Sequence, residues 1–239
     1  MPQFRNPKGS FELSKQQYEQ IELYSRKKRY KRGVVIFHEE DPADGLYQIK
    51  SGFVKVYRES EDGREKTLAI LSAGDFLGEM AAFGSPLRSA SAKTLEQTEV
   101  LFIHQQSFEE CLRTIPAFGL LITQTVTERL REANKQISNL INLSSHDKVI
   151  CQVVALIERY GCQVNKGLML KPRLTHGDLA SLAGVSRETV TKTLKKMKDE
   201  GRVSTEGRRL FVPDLSRLKE LLHNRDESTR AGTPRAKKM

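Results

Sequence analysis

Between residues 33 and 105 the chain breaks into short runs of β-formers. They are V-V-I-F-H at 34–38, L-Y-Q-I at 46–49, F-V-K-V-Y at 53–57, T-L-A-I-L at 67–71 and V-L-F-I at 100–103. Gly45, Gly52, Gly63, Gly74 and Gly84 punctuate them. Runs this short, separated by turn residues, predict a compact β-barrel or double-layered roll. E-D-G-R at 61–64 falls between two runs and reads as a hairpin turn. Ahead of the roll, Phe11, Leu13, Tyr18, Ile21 and Leu23 give residues 11–30 the apolar side of a short amphipathic helix, with R-K-K-R at Arg26–Arg29 following.

Beyond the roll the period changes from two to between three and four. A helical region starts near Ser107, is interrupted at Pro116, and continues as a long helix from about Phe118 to Leu143. Val126, Leu130, Ala133, Ile137 and Leu140 are spaced four, three, four, three, a heptad seam flanked by charged residues. A long helix with such a stripe between two domains predicts a parallel dimer seam. S-S-H-D at 144–147 marks a hinge and the N-cap of the next helix. The expected organisation is a sensor domain over 1–117, a dimerisation helix over 118–143, a reader domain over 144–224 and a disordered basic tail over 225–239.

Charge sharpens this division. Of the 239 residues, the first 143 hold 20 Lys/Arg against 19 Asp/Glu, whereas residues 144–239 hold 20 against 11. Basicity confined to one end of the chain points to a polyanionic partner. No run of 18 apolar residues occurs and the N-terminus has no apolar signal core, so no membrane association and a cytoplasmic protein are expected. Cys111, Cys151 and Cys162 make no metal-binding spacing and read as reduced, structural thiols. No H-E-x-x-H, G-x-S-x-G or G-x-x-x-x-G-K-[ST] pattern is present, so an enzyme is not expected.

The densest candidate chemistry is F-L-G-E-M-A-A-F-G-S-P-L-R-S-A-S at 76–91. A phosphate needs a guanidinium fork, a hydroxyl and free backbone N–H groups, which Arg88, Ser89 and the surrounding turn supply. A ribose hydroxyl needs a carboxylate, which Glu79 supplies beside Gly78. The stretch predicts a sugar-phosphate sensor.

Residues 175–197, T-H-G-D-L-A-S-L-A-G-V-S-R-E-T-V-T-K-T-L-K-K-M, have the spacing of a helix-turn-helix. Ala180 is small enough for the second helix to approach. Gly184 permits the positive φ of the turn, Val190 turns back into the junction, and Ser186 caps the second helix. From that helix Arg187 can fork onto guanine O6 and N7, Glu188 can accept from a cytosine amino group, and Lys192 faces the same groove. R-V-S-T-E-G-R-R-L-F-V at 202–212 reads as a two-stranded wing. Thr175, Ser186, Thr189, Lys195, Lys196, Arg202, Arg208 and Arg209 are the candidate phosphate contacts, which fix register without reading sequence.

These motifs in this order resemble the catabolite activator protein/Fnr superfamily of bacterial transcription regulators, over roughly residues 15–222. The resemblance implies an α+β fold: a jelly-roll-like cyclic-nucleotide-binding β-roll, a long dimerisation helix and a C-terminal winged helix-turn-helix. It implies that Gly78 and Glu79 hold the ribose 2′-hydroxyl, that Arg88 and Ser89 hold the cyclic phosphate, and that Val56, Leu68 and Leu71 line the nucleotide. It further implies a homodimer on palindromic double-stranded DNA with TGTGA-like half-sites, RNA polymerase as a partner, and cyclic AMP as effector, with cyclic GMP and cyclic di-GMP as alternatives. Two positions depart from the family's activator. Lys192 stands in place of Arg, keeping the charge without the fork. Ala133-Asn134 stands in place of the Thr-Ser pair that senses the base, and only Asn134 can hydrogen-bond there. A ligand-independent regulator of the same family is a second reading, and a regulatory subunit of an enzyme is a remote third. No cysteine precedes Cys111, which excludes the iron–sulfur pattern, and His38 and His104 read as structural histidines rather than haem ligands.

Overall fold

The computed structural model describes residues 13–207 and 209–230. The chain forms two compact units, Met1–Ser138 and Asn139–Met239. The first opens with α1 (Lys15–Leu23), whose N-terminus is closed by a reciprocal box: the Gln17 N–H donates to Ser14 Oγ while the Ser14 N–H donates to Gln17 Oε1. Two antiparallel sheets follow. One has the order β1 (Ser25–Tyr30), β8 (Thr98–His104), β3 (Gly45–Ser51), β6 (Phe76–Leu77). The other has the order β2 (Val35–Phe37), β7 (Ser91–Thr94), β4 (Phe53–Glu59), β5 (Glu65–Ser72). The short helix α2 (Glu79–Ala82) lies between β6 and β7, and α3 (Gln105–Thr114) and α4 (Pro116–Asn142) complete the series.

Strand alternation sorts the core into two layers. Tyr47 and Ile49 of β3 pack with Val54, Leu71, Val100 and Phe102 in one cluster. Leu46 of the same strand packs with Phe76, Phe108, Phe118, Leu121, Ile122 and Ile21 of α1 in the other. Successive side chains of one strand thus serve the roll interior and the helical layer. Pro116 opens α4, where its missing N–H costs nothing.

The expected N-terminal helix over 11–30 is corrected: α1 ends at Leu23, and the R-K-K-R run lies in the edge strand β1. The basic side chains find partners there that a solitary helix would not give. Lys28 Nζ sits 4.1 Å from the Phe102 ring centroid, and Lys27 and Arg29 pair with Glu99 at 3.2 and 2.7 Å. The hydrogen bond from Arg29, reinforced by Lys27, holds the Glu99 carboxyl below the usual carboxylate range.

The second unit is built on α5 (Ser145–Tyr160), capped by Ser144. A hairpin of β9 (Gly161–Val164) and β10 (Gly167–Leu170) extends the expected wing into a four-stranded sheet, β11 (Ser204–Glu206), β12 (Arg209–Val212), β10, β9. Helices α6 (His176–Ala183), α7 (Arg187–Asp199) and α8 (Leu215–Arg230) complete it. The expected disordered tail over 225–239 is corrected in its first part, because α8 runs past Asn224 to Arg230. Asp214 Oδ1 accepts from the N–H groups of Ser216 and Arg217 and so starts that helix. Residues 231–239 lie outside the described residues, as do Phe11 and Arg208.

Candidate functional site

Gly78 ends β6 with φ +77°, and this conformation brings its peptide against Arg88. A Cβ at position 78 would overlap Arg88 Nη1. Arg88 is 3% exposed. Its Nη1 donates to the Gly45 carbonyl at 2.7 Å and to the Gly78 carbonyl at 3.4 Å, and its Nη2 donates to Asp44 Oδ1 at 2.8 Å. Its Cζ lies 4.4 Å from the Phe37 ring centroid and 5.6 Å from that of Tyr47. Burial, with the Asp44 carboxylate as the second cause, pushes the Tyr47 hydroxyl up to about 12. Ser89 is exposed, and its hydroxyl donates to Met80 Sδ at 3.2 Å.

Glu79 is buried beside Gly78, and its Oε1 accepts from Arg129 Nη1 of α4. Arg129 Nη2 also donates to the Phe76 carbonyl. Glu79 Oε2 is buried without a hydrogen-bond partner among the described residues. A buried carboxylate with one oxygen paired and one free can accept a hydroxyl hydrogen bond. Among the described residues the turn therefore offers a guanidinium whose Nε is also unpartnered, and a carboxylate oxygen, within the one segment that joins β6 to β7.

Of the expected apolar lining, Val56 is half-buried and Leu71 is buried in the roll interior. Leu68 is 37% exposed, and its carbonyl accepts from Gln136 Nε2 at 3.2 Å. Ala133 and Asn134 are exposed on α4, away from hydrogen-bonded contact with the turn. Two residues escaped the sequence reading, Arg129 and Gln136. Both occupy the buried side of α4, at positions 129 and 136, one heptad apart. The signal lay in two polar residues seven apart that flank the apolar seam, about 60–80° around the helix from its centre. The apolar stripe is solvent-exposed: Val126, Leu130 and Ile137 are 42%, 62% and 56% exposed, and Ala133 is exposed between them. The Leu140 side chain lies outside the described residues.

In the second unit the helix-turn-helix is built as its residue types require. The Thr175 hydroxyl accepts from the Asp178 N–H at 3.1 Å and the Thr175 N–H donates to Asp178 Oδ2 at 2.9 Å, which starts α6. Gly184 closes α6 with φ +67° and ψ +41°. Val185 then donates back to the Ala180 carbonyl at 3.1 Å. Ser186 caps α7 by accepting from the Thr189 N–H at 3.1 Å. Ala180 and Val190 are buried at the crossing, whereas Arg187, Glu188, Lys192, Lys195 and Lys196 are exposed. A link absent from the sequence reading joins the two helices: His176 Nδ1 and Thr191 Oγ1 are 2.9 Å apart.

Two of the expected phosphate contacts also make hydrogen bonds within the unit. Arg202 Nη1 donates to the Arg217 carbonyl at 2.6 Å, and Arg209 Nη1 donates to the Lys171 carbonyl at 3.5 Å. Arg209 opens β12 and pairs with Glu206, the last residue of β11, so it flanks the turn at the wing tip. His104 is structural, its Nδ1 accepting from the Gln106 N–H at the start of α3. Among the described residues no His, Cys, Asp and Glu cluster could hold a metal ion, and no helix is long and apolar enough to cross a membrane.

A cyclic nucleotide-binding domain model matches residues 27–114 and a Crp-like helix-turn-helix domain model matches residues 149–221. The CRP-like cAMP-activated global transcriptional regulator of Mycobacterium tuberculosis is 32% identical over 189 residues, 79% of this chain and 84% of its own length. The cyclic AMP receptor protein of Thermus thermophilus is 31% identical over 206 residues, 85% of this chain and 92% of its own. Among solved structures, the c-di-GMP-responsive global regulator CLP of Xanthomonas campestris superposes with a TM-score of 0.74 at 26% identity, covering 84% of this chain and 100% of that one.

Proposed function

Because the chain belongs to the CRP/FNR family of DNA-binding transcription regulators and carries a cyclic nucleotide-binding domain, we propose that it is a cytoplasmic homodimer whose hold on DNA is set by cyclic AMP bound in the β-roll. The observation that carries this reading is the pairing of Glu79 with Arg129, because it ties the sugar-phosphate turn directly to α4. On this reading Gly78 and Glu79 receive the ribose, Arg88 and Ser89 the phosphate, and Val56, Leu68 and Leu71 the base. Asn134, exposed on the seam side of α4, supplies the base hydrogen bond across the dimer. Val126, Leu130, Ala133, Ile137 and Leu140 form the seam. The two α7 helices then enter successive major grooves of a palindrome, with Arg187, Glu188 and Lys192 reading TGTGA-like half-sites. Thr175, Ser186, Thr189, Lys195 and Lys196 hold the backbone, and RNA polymerase is the partner at the promoter.

Isothermal calorimetry of the full chain with cyclic AMP, cyclic GMP and cyclic di-GMP tests the effector. Heat with cyclic AMP, lost in Arg88→Leu, is the expected result. Absence of heat with all three refutes nucleotide control. A second reading, in which another effector replaces cyclic AMP, is favoured by Ala133, which has no hydrogen-bonding group for an adenine amino function. The cyclic di-GMP titration separates the two.

A further inference from the structure

The guanidinium expected to bind phosphate already holds an anion. Asp44 lies in the loop before β3 and accepts from Arg88 Nη2 at 2.8 Å. The two partners are unequal in their freedom. The Arg88 side chain is 2% exposed, whereas that of Asp44 is 56% exposed. Arg88 is pinned by the Gly45 carbonyl and by the Phe37 and Tyr47 rings. Asp44 needs only a side-chain rotation to reach water.

We propose that Asp44 is a built-in anionic competitor: it occupies Arg88 in the free chain and so sets the affinity of the roll for a phosphate-bearing ligand. This rests on the reading of Arg88 as the phosphate ligand. A cyclic phosphate brought to Arg88 with Asp44 in place would put two negative charges on one guanidinium at the edge of a buried site, where like charges repel more strongly than in water. Glu79 adds no uncompensated charge, because Arg129 pairs with it. Arg88 Nε, buried and unpartnered among the described residues, is a donor that the competitor leaves unused. A ligand that reaches both Nε and Nη2 therefore gains a bidentate geometry that Asp44 lacks. Binding requires Asp44 to leave, and its exposure makes it the partner that moves.

Asp44→Asn tests this, since it keeps an acceptor for Nη2 and removes only the charge. Calorimetry of the full chain with cyclic AMP should give binding about two- to fivefold tighter than the parent, the range expected for a partly exposed charge pair. The thermal midpoint of the ligand-free variant should fall, because the buried guanidinium loses its counter-ion. Unchanged or weaker binding by a folded Asp44→Asn chain overturns the proposal, and Asp44 is then a buttress that holds the fork for the ligand. Inorganic phosphate, titrated in parallel, lets the two readings fail separately. If neither chain takes up a cyclic nucleotide, the effector reading fails, yet Asp44→Asn should still bind phosphate several-fold tighter, with the gain lost in Asp44→Asn/Arg88→Leu. Equal phosphate binding by parent and variant overturns the competitor.

Discussion

Two glycines of the roll share one backbone conformation and differ in what surrounds them. Gly33 has φ +79° and Gly78 has φ +77°. A Cβ at position 33 would meet nothing within 4 Å, whereas one at position 78 would overlap Arg88 Nη1. Alanine at either position therefore suffers the same left-handed strain, about 1–2 kcal/mol. At position 78 it must also displace a guanidinium that has no room to yield, since Arg88 is 3% exposed. Losing the hydrogen bond to the Gly45 carbonyl, a charge-assisted one, adds about 1.5–3 kcal/mol. The expected total is about 2.5–5 kcal/mol for Gly78→Ala against about 1–2 for Gly33→Ala. In a unit of this size the difference is a shift of several degrees, roughly 3–4 °C per kcal/mol. Differential scanning calorimetry of the two variants measures it directly. Gly33→Ala should keep its response to cyclic AMP and Gly78→Ala should lose it. Equal destabilisation within about 0.5 kcal/mol would refute the reasoning, because the surplus comes only from the packed guanidinium.

Three further outcomes follow from the same geometry. Leu130→Glu puts a charge at the most exposed position of the α4 stripe and should convert a dimer to a monomer in light scattering without lowering the thermal midpoint of the roll. Arg187→Ala should weaken operator binding by about 1–3 kcal/mol and relax preference at one G·C pair, read in a competition gel-shift against single-base variants; a uniform loss over all sequences would make Arg187 a phosphate contact. Tyr47 is held protonated to about 12, above its ordinary value of 10.0, so its contribution to stability is complete below pH 10 and is lost as pH rises through 12. Tyr47→Phe should therefore unfold at a higher alkaline pH than the parent, by tyrosine absorbance and circular dichroism.

Legibility in the sequence followed how local each signal was. The five β-runs, the 61–64 turn, the Gly184 turn and the Ser186 cap depend on residues within a few positions of one another, and each appears where the pattern put it. Arg26–Arg29 went the other way because its structure depends on Glu99 and Phe102, 70 or more positions along the chain. The same is true of β7, S-A-K-T, a polar run that becomes a strand because β2 and β4 flank it. The site divides likewise. Gly78, Glu79 and Arg88 were legible as chemistry. Their wiring was not, since Asp44 and Arg129 are 44 and 50 positions from their partners. Arg202 and Arg209 likewise have partners, the Arg217 and Lys171 carbonyls, that residue type alone does not announce.

The two faces of α4 explain how a ligand in the roll could reach the seam. Phe118, Leu121 and Ile122 bury one face in the core, and the same face continues through Arg129 on Glu79 and Gln136 on the Leu68 carbonyl. The neighbouring face, about 100° around the helix, carries Val126, Leu130 and Ile137. Adjacent residues of a helix point about 100° apart, so Arg129 and Leu130 cannot move independently. A ligand shifts a conformational equilibrium only through contacts that differ between its states. The Arg129–Glu79 pair is such a contact, because a ribose that takes the free Oε2 of Glu79 changes the charge and hydrogen bonding that Arg129 meets. The first three turns of α4 are anchored by apolar packing and give no such choice. On the proposed reading, response to ligand is concentrated in the stretch from Arg129 to Gln136, where α4 meets both the turn and the exposed stripe. A substitution at Arg129 would alter the roll and the seam together, whereas one at Leu130 would alter the seam alone.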